Sequence, residues 1–498
     1  MLKIVFLAMV NAMSVWAAVV LVDHHKWRAV AVLAAATLAI DAIYLLRRWT
    51  LPLKFLIPGT VFLLGFQVIP VAYTINVAFT NYSTGHILSH SEAVEQIEQN
   101  SLAEGGASYT MAPARDADGR LVLILLDESG RTFVGTSDGL KPIPRSDVKV
   151  VEDTIRSAAG YQIVQGAELA SLDKVLSAFN VPIGGDKKIR PQGFETAAVL
   201  EPTLRYDGRA NTFVRISDGV VFRDNGRGSY AAAGGEELEP GWKTYTGLRN
   251  FGRIIHSPLI RDPFLKVLLW TMVFATAVVF VSFALGLLLA VTLNKPGLRF
   301  QRSYRVLLVI PYAVPAFLSL LVWQGLLNDD FGVVNRLFHT DIPWLFDPWW
   351  ARLSVIFVSV WLTVPYFFLV SLGALQSIPK ELIEAARVDG GGAWQVFRKV
   401  TLPLLLVAVA PLMIASFAFN FNNFNNIYLL TQGGPALGDS PIAGATDILI
   451  SYTYKIAFTA GKGQDYGLAT AIGILIFFIV ATISAVSFSR TKALENLA

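Results

Sequence analysis

Residues 384–403 read "EAARVDGGGAWQVFRKVTLP" and separate two long apolar runs. Pro379, shortly before them, suits the first turn of a helix, and the lysine and glutamates that follow it are strong helix formers. The glycines Gly390–Gly392 predict the end of that helix. A second short helix is expected from Ala393, and Pro403 then opens the next apolar run. The stretch therefore predicts a helix–turn–helix loop between two apolar segments.

This loop offers a surface of small side chains. We expect Ala385 and Ala386 to be exposed, so that a groove on a partner protein could grip this face of the helix. The alternative is a simple amphipathic connector that lies at the membrane surface. The physical pattern alone leaves both interpretations open.

The flanking runs belong to a strongly apolar chain. Of its 498 residues 54% are hydrophobic and 16% are charged, and its mean hydropathy is +0.51. A helix that spans a bilayer needs about 20 apolar residues. Eight runs meet this requirement: Ile4–Val22, Trp27–Leu46, Phe55–Phe79, Phe264–Leu293, Val306–Leu327, Leu353–Leu375, Leu402–Phe421 and Leu468–Phe488.

The first run has two interpretations. Lys3 supplies the charged flank of a signal peptide. A second apolar run follows after only "DHHK", residues 23–26, which favours a helical hairpin.

Basic residues predict the orientation of the runs, because loops rich in Lys and Arg stay in the cytoplasm. If eight spans alternate, all four basic clusters fall on one side, and both termini are then cytoplasmic. Asp329, Asp330 and Asp341 fall on the opposite side. The clusters are Arg47, Arg48 and Lys54; Lys295, Arg299, Arg302 and Arg305; Lys380, Arg387, Arg398 and Lys399; and Arg490 and Lys492.

One connection is too long for a simple loop. Residues 82–262 contain no spanning run, but residues 120–136 and 212–224 each read as strand, turn and strand. Residues 166–180 read as a short amphipathic helix. A disordered loop is the alternative, although the aliphatic content argues against it. The predicted fold is an all-α polytopic membrane protein of about eight helices with an inserted, mostly β, external domain.

Several kinds of chemistry find no support in the sequence. The chain has no cysteine and only six histidines, so it offers few of the usual metal ligands and predicts no metal site. It has no phosphate-binding G-x-x-x-x-G-K-[ST] motif, and its basic residues form no stripe that would suit a nucleic acid. From the third apolar run onward, no charged residue lies in the middle of a run. A proton-coupled secondary transporter usually needs one.

Amides interrupt the seventh run, where residues 417–426 read "FAFNFNNFNN". Ser416, Asn420 and Asn423 are spaced at i, i+4 and i+7 and would share one helix face, with Phe419 at its border. Such a face should point toward a cavity or another helix. Amides with one aromatic ring suit a neutral sugar. Hydrogen bonds between helices are the alternative explanation.

The sixth run offers a facing wall. In "VWLTVPYFF", residues 360–368, Leu362 and Tyr366 are one helical turn apart, and Pro365 between them permits a kink. Packing against other aromatic side chains is the alternative role for Tyr366.

The loop also carries a family pattern, E-A-A-x3-G-x9-[IV]-x-L-P, without a gap. This pattern resembles the signature of permease subunits in bacterial ABC importers. The resemblance implies a type I importer fold and a coupling helix seated on an ATPase subunit. It assigns the docking to Glu384, Ala385, Ala386 and Gly390, with Asp389 beside them.

Further segments resemble the maltose/maltodextrin-type permeases of that family. They are residues 413–424, 429–435, 447–458 and 463–472. The resemblance implies that Leu362, Tyr366, Ser416, Phe419, Asn420 and Asn423 contact the sugar midway across the membrane. It leaves Asn422, Asn425 and Asn426 to packing or to a helix end. Thr363 and Asn425 depart from the glycine and the apolar residue expected at their positions.

The family also implies the partners of the chain. They are a second, MalG-like permease subunit, two MalK-like ATPase subunits that bind ATP and Mg²⁺, and a periplasmic sugar-binding protein. This chain would be a non-catalytic subunit of the bacterial inner membrane. Its three N-terminal spans would lie in residues 1–81, its periplasmic domain in 82–262 and its permease core in 263–498, with the coupling loop at 376–403. A secondary sugar transporter that works alone and a membrane-anchored sensor are the alternatives. Maltose, maltodextrins and trehalose all fit the predicted site.

Overall fold

A computed structural model describes residues 2–23, 25–45, 51–152, 154–184, 187–295, 297–438, 440–459 and 463–495. It divides into two compact units, Met1–Ala78 and Phe79–Ala498. Of the predicted basic clusters, Arg47 and Arg48 lie outside the described residues, as do the side chains of Lys54, Arg490 and Lys492.

The first unit contains the first three apolar runs. Its helices are α1 (Leu2–Asp23), α2 (Trp27–Leu45), α3 (Leu51–Leu63) and α4 (Ile69–Ala78). A π-helical turn at Leu64–Val68 joins α3 to α4, so residues 56–78 form one span.

Helices α1 and α2 pack side by side. The Asn11 amide donates to Asp41 Oδ1 at 3.0 Å, and Thr37 Oγ1 donates to Ser14 Oγ at 2.8 Å. From Asn11 to Ser14 the residue number in α1 increases, while the number of the partner residue in α2 decreases from Asp41 to Thr37. The two helices therefore run antiparallel. This is the predicted hairpin, and the Asn11 amide provides a partner for the carboxylate of the second span.

The second unit contains the β-rich insertion, which we define as residues 102–231. Its eight-stranded antiparallel sheet runs β4-β3-β2-β1-β10-β9-β8, with β7 also paired to β1, and β11–β14 and β5–β6 form two smaller sheets. The strands are β1 (Leu102–Arg115), β2 (Leu121–Asp127), β3 (Thr132–Thr136), β4 (Gly139–Ile143), β5 (Val148–Val151), β6 (Thr154–Ala158), β7 (Gln162–Ile163), β8 (Val181–Gly184), β9 (Lys187–Pro191), β10 (Thr196–Pro202), β11 (Leu204–Asp207), β12 (Thr212–Arg215), β13 (Val221–Asp224) and β14 (Tyr230–Ala231).

Both predicted hairpins are present as β2–β3 and β12–β13. The large sheet is buried on both faces, because alternate side chains of a strand point to opposite sides. Leu125 lies in one apolar cluster and its neighbour Ile124 in another. The predicted helix at 166–180 is instead two short helices, α6 (Ala167–Ser171) and α7 (Asp173–Ala178). Another short helix, α5 (His90–Asn100), precedes β1.

The remaining helices form the membrane core of this unit. They are α8 (Arg249–His256), α9 (Pro258–Leu293), α10 (Gln301–Ala313), α11 (Ala316–Leu326), α12 (Val333–Phe338), α13 (Pro348–Ser377), α14 (Lys380–Val388), α15 (Ala393–Val396), α16 (Leu402–Phe421), α17 (Phe424–Thr431), α18 (Leu449–Phe458) and α19 (Tyr466–Glu495). A π-helical turn at Phe397–Thr401 joins α15 to α16 without a break. Within the described ranges, seven helices are long and apolar enough to span a membrane, or eight if α10 and α11 count as one span.

The predicted fifth span, Val306–Leu327, is wrong as a continuous helix. Helices α10 and α11 meet at an angle of 91°. Val314 is extended, with ψ at 133°, and Pro315 follows it. A proline disfavours helical geometry in the residue before it and has no backbone N–H to donate, which explains the break at this point.

Helices α9 and α13 approach closely at Gly286. A Cβ atom added there would lie 2.7 Å from the backbone nitrogen of Phe368 and 2.8 Å from the carbonyl carbon of Phe367. Small residues allow membrane helices to pack at short range.

We expect Gly286→Ala to destabilise the protein by about 1–3 kcal/mol, because an overpacked backbone contact must shift apart. Thermal unfolding of the purified protein in detergent measures the loss. Gly373→Ala on α13 is the control, since a Cβ there meets nothing within 4 Å. Equal shifts for both variants would contradict the packing argument.

Residues 79–86 connect the β-rich insertion to the start of α19. Asn250 on α8 donates its amide to the Thr80 carbonyl at 2.8 Å. The backbone N–H of Gly467 donates to the Tyr82 carbonyl at 2.9 Å, and the rings of Tyr82 and Tyr466 lie 5.1 Å apart. Asn81 donates its side-chain amide to the carbonyl of Arg227 in the insertion at 2.8 Å, so this junction ties a membrane helix to the insertion.

His86 is half-buried in this junction. Its Nδ1 lies 3.0 Å from Ser83 Oγ and its Nε2 lies 3.1 Å from Ser229 Oγ. Burial lowers the pKa of His86 below its ordinary 6.5, although the carboxylates of Glu237 and Asp465 act in the opposite direction. The imidazole is therefore neutral in the folded protein near pH 7.

Acidification is expected to loosen the junction. Because the folded protein binds this proton less readily than the unfolded chain, the stability that neutral His86 contributes is complete above pH 6.5 and declines as the pH falls toward its lowered pKa. Hydrogen exchange of residues 79–86 at pH 7.5 and 5.5, corrected for intrinsic rates, should show greater opening at pH 5.5. The same change in a His86→Gln variant would contradict the assignment to His86.

Candidate functional site

A cavity of about 640 Å³ lies where α10, α13, α16 and α17 meet. All six residues predicted to contact a sugar line it. The complete lining is Pro311, Tyr312, Ala313, Val314, Pro315, Ala316, Leu362, Thr363, Tyr366, Ala415, Ser416, Phe419, Asn420, Asn423, Asn425 and Asn426.

The amide run does not form one helix. Helix α16 ends at Phe421 and α17 begins at Phe424, with Asn423 as the N-cap whose side chain accepts from the backbone N–H of Asn426 at 3.3 Å. The predicted i, i+4, i+7 face is therefore wrong for Asn423, although its side chain still lines the cavity. Asparagine competes with helical backbone bonds and favours caps, which explains the break.

Asn420 has an unpaired oxygen beside the cavity. The residue is 1% exposed, and its Nδ2 donates to the Ser416 carbonyl within the same helix at 2.8 Å. Its Oδ1 is buried and finds no hydrogen-bond donor among the described residues. A buried carbonyl without a donor costs free energy, so such groups usually meet water or a ligand. The alternative of an interhelical hydrogen bond does not describe Asn420.

An aromatic ring and neutral walls complete the site. Phe419 is 68% exposed and lines the cavity, while Leu362 and Tyr366 on α13 are half-buried. Helix α13 continues through Pro365. None of the described lining residues is charged. The arrangement is suited to a neutral ligand that carries both hydroxyl groups and an apolar face.

Asn425 and Asn426 line the cavity. This corrects the expectation that they serve only in packing or at a helix end. Asn426 is buried and donates its Nδ2 to Ser359 Oγ on α13 at 3.0 Å, so an interhelical hydrogen bond does explain this residue. Asn422 is exposed at the end of α16, does not line the cavity, and donates to the Ala418 carbonyl.

Sequence reasoning missed the wall formed by residues 311–316. This segment contains the break between α10 and α11, and all six of its residues line the cavity. Pro311 and Pro315 in "PYAVP" were the available signal, because two prolines four residues apart disrupt a helix.

The predicted helix–turn–helix loop is formed by α14 and α15. Gly390 has φ at +83°, and its N–H donates to the Arg387 carbonyl at 3.0 Å. The N–H of Gly391 donates to the Ala386 carbonyl, also at 3.0 Å. These two bonds end the helix in a Schellman turn, whose left-handed residue favours glycine.

The predicted docking residues run from the middle of α14 to the turn that follows it. Glu384, Ala385, Asp389 and Gly390 are exposed. Ala386 is half-buried, contrary to expectation. It lies on the face that carries Ile383 one turn earlier, and that face packs toward the helical core.

Exposed apolar side chains flank these residues. Val388 is 87% exposed and Trp394 is 69% exposed, and Leu382 is exposed as well. Sequence reasoning considered only the small residues and missed these larger ones. Apolar surface of this kind commonly marks a contact with another protein.

A buried ion pair orders the segment after α17. Asp447 is fully buried and accepts from Lys455 Nζ at 2.7 Å, from the Gly444 N–H at 2.7 Å and from Ser451 Oγ at 2.8 Å. These bonds fix the connection between α17 and α18.

Two family models match the chain. Residues 61–138 match the N-terminal region of the transmembrane subunit in binding-protein-dependent ABC transporters. Residues 282–495 match the binding-protein-dependent transport system inner membrane component.

Curated relatives cover most of the chain. The maltose/maltodextrin transport system permease protein MalF of Escherichia coli K12 is 37% identical over 456 residues, which is 88% of this chain and 87% of the relative. The protein of the same name from Vibrio cholerae is 37% identical over 463 residues, with coverage of 88% and 85%. The chain belongs to the MalF family of ABC transporter permeases. It is thus a multi-pass inner-membrane permease subunit, and the predicted fold class is confirmed.

A solved bacterial ABC transporter that imports the acidic polysaccharide alginate contains a similar chain. The match covers 50% of this chain and 84% of that one, with 21% identity and a TM-score of 0.41.

Proposed function

We propose that this chain carries maltose, a maltodextrin or a related α-glucoside through the cavity between α10, α13, α16 and α17. The observation that carries the proposal is the unpaired Oδ1 of Asn420, which is buried beside a neutral cavity that all six expected sugar-contact residues line. The names of the MalF relatives support the same class of sugar.

The cavity has a suitable size and chemistry for this cargo. Its volume of about 640 Å³ lies within the usual range of small-molecule sites, roughly 300–1,000 Å³. Ser416, Asn420 and Asn423 would bind sugar hydroxyls, and Phe419 would stack on a C–H face of the ring. Leu362 and Tyr366 would form the opposite wall. Because these side chains are uncharged, they would bind a neutral sugar weakly enough for it to be released.

The exposed end of α14 would dock an ATPase subunit. Glu384, Ala385, Asp389 and Gly390 would lie at the contact, with Ala386 supporting the turn from its half-buried side. Two MalK-like subunits would bind ATP and Mg²⁺, and a MalG-like subunit would complete the membrane channel. This chain would itself perform no covalent chemistry. Nucleotide-driven closure of the ATPases would reach the spans as a rigid-body movement of the loop.

The β-rich insertion would receive the sugar-binding protein on the periplasmic side. This assignment follows from the basic clusters, of which Lys295, Arg299, Arg302 and Arg305 follow α9. Both termini are then cytoplasmic. The proposed domains are residues 1–81, 82–262 and 263–498, with the coupling loop at 376–403.

Reconstitution tests the proposal. The chain would be co-expressed with its second permease and ATPase subunits, and the complex placed in vesicles with external binding protein and labelled maltose. We expect uptake that requires internal ATP and the binding protein and that resists protonophores. Protonophore-sensitive uptake without ATP would instead support a secondary transporter, and absence of uptake for maltose, maltotriose and trehalose would reject this class of cargo.

A further inference from the structure

Asn425 is an amide without an assigned partner. It lies in the first turn of α17 and lines the cavity, and its side chain is exposed. Among the described residues, no side-chain hydrogen bond or ion pair involves it.

The neighbouring amides are occupied by the protein. The Asn423 oxygen caps α17, and the Asn426 amide donates to Ser359. Asn420 commits its Nδ2 to the Ser416 carbonyl. Asn425 alone among the four lining amides keeps both its carbonyl oxygen and its NH2 group available to a ligand.

A free primary amide matches the hydroxyl groups of a sugar. It offers one acceptor and two donor hydrogens on a planar group, so it can bond two neighbouring hydroxyls at once. A site built to bond a hydroxyl rejects an analogue that lacks it, because the amide is then left unpaired. Apolar side chains that line the same cavity, such as Leu362, cannot make this distinction.

We propose that Asn425 binds a hydroxyl group of the transported sugar and sets the selectivity of the cavity among α-glucosides. This inference rests on the proposed function, because it assumes that the sugar occupies this cavity. It assigns to Asn425 a polar contact at a position where the family resemblance leads one to expect an apolar residue.

The test compares the wild type with Asn425→Leu in reconstituted vesicles, using maltose and a set of monodeoxy-maltoses. The same binding protein is used throughout, so its own preference cancels when the two proteins are compared. We expect the half-saturating concentration of maltose to rise about tenfold in the variant, as for loss of one hydrogen bond. One monodeoxy-maltose should be transported equally by both proteins, which would identify the hydroxyl group.

Asn422→Leu is the matched control, because Asn422 lies three residues away but does not line the cavity. It should leave the selectivity unchanged. An Asn425→Leu variant with unaltered selectivity, or with the same loss for every deoxy sugar, would overturn the inference. Failure of the wild type to transport maltose would instead reject the proposed function, so the two failures are distinguishable.

Discussion

Glu384→Lys is expected to abolish sugar uptake by preventing stable assembly with the ATPase subunits. Glu384 is exposed in the middle of α14, and its side chain makes no hydrogen bond or ion pair among the described residues. The substitution should therefore leave the fold of this chain unchanged. At a protein contact, the lysine would lose the favourable interactions of the glutamate carboxylate and would be repelled by the groups that paired with it. We therefore expect ATPase binding to weaken by about 100-fold or more.

Affinity purification followed by quantification of each subunit measures this loss. Glu128→Lys, in the exposed turn between β2 and β3, makes the same change in net charge far from the loop and should assemble normally. Glu384→Gln should show an intermediate defect, because it removes the charge without reversing it. Normal assembly and uptake by Glu384→Lys would reject the docking role of this helix.

Asn420→Leu is expected to weaken sugar binding while the complex still assembles. The Oδ1 of Asn420 has no donor within the described part of the chain, so replacing the amide by an apolar group of similar size removes a buried unpaired atom and should not reduce stability. If the oxygen accepts from a sugar hydroxyl, that hydroxyl is left unpaired in the variant. Loss of about 2 kcal/mol corresponds to roughly 30-fold weaker binding.

Two measurements separate these effects. Thermal unfolding of the complex should be unchanged or slightly raised, and the maltose concentration for half-maximal uptake should rise. Ser359→Ala provides the structural comparison, because it removes the interhelical bond to Asn426 and should lower the unfolding temperature. If Asn420→Leu destabilised the complex as Ser359→Ala does and left half-saturation unchanged, Asn420 would be a packing residue.

The sequence predicted which residues line the cavity more accurately than it predicted the helices that hold them there. Spacing together with the family resemblance selected six residues from two separate runs, and the structure brings all six to one cavity. The reason given for Asn423 was nevertheless wrong, because this residue caps a new helix. Whether an asparagine continues a helix or caps the next one depends on which backbone groups its side chain can reach, and spacing does not report this.

In the helix–turn–helix loop, too, the local structure could be predicted but the packing could not. Its helix, its glycine stop and its second helix follow from propensities that act within a few residues, so they could be predicted. The burial of Ala386 depends on how α14 packs against the core through Ile383. That packing is a contact between distant parts of the chain.

What the sequence by itself determined is the set of apolar runs, the two hairpins of the β-rich insertion and the helix–turn–helix loop. Each of these follows from hydrophobicity, side-chain periodicity or turn chemistry over fewer than about 30 residues. The tertiary structure alone decided that residues 311–316 form a cavity wall, that Asn426 is bonded to Ser359 and that the Asn425 side chain finds no hydrogen-bond partner among the described residues. These outcomes depend on which groups from distant segments come within hydrogen-bonding or packing distance, and only the assembled helices bring those groups together.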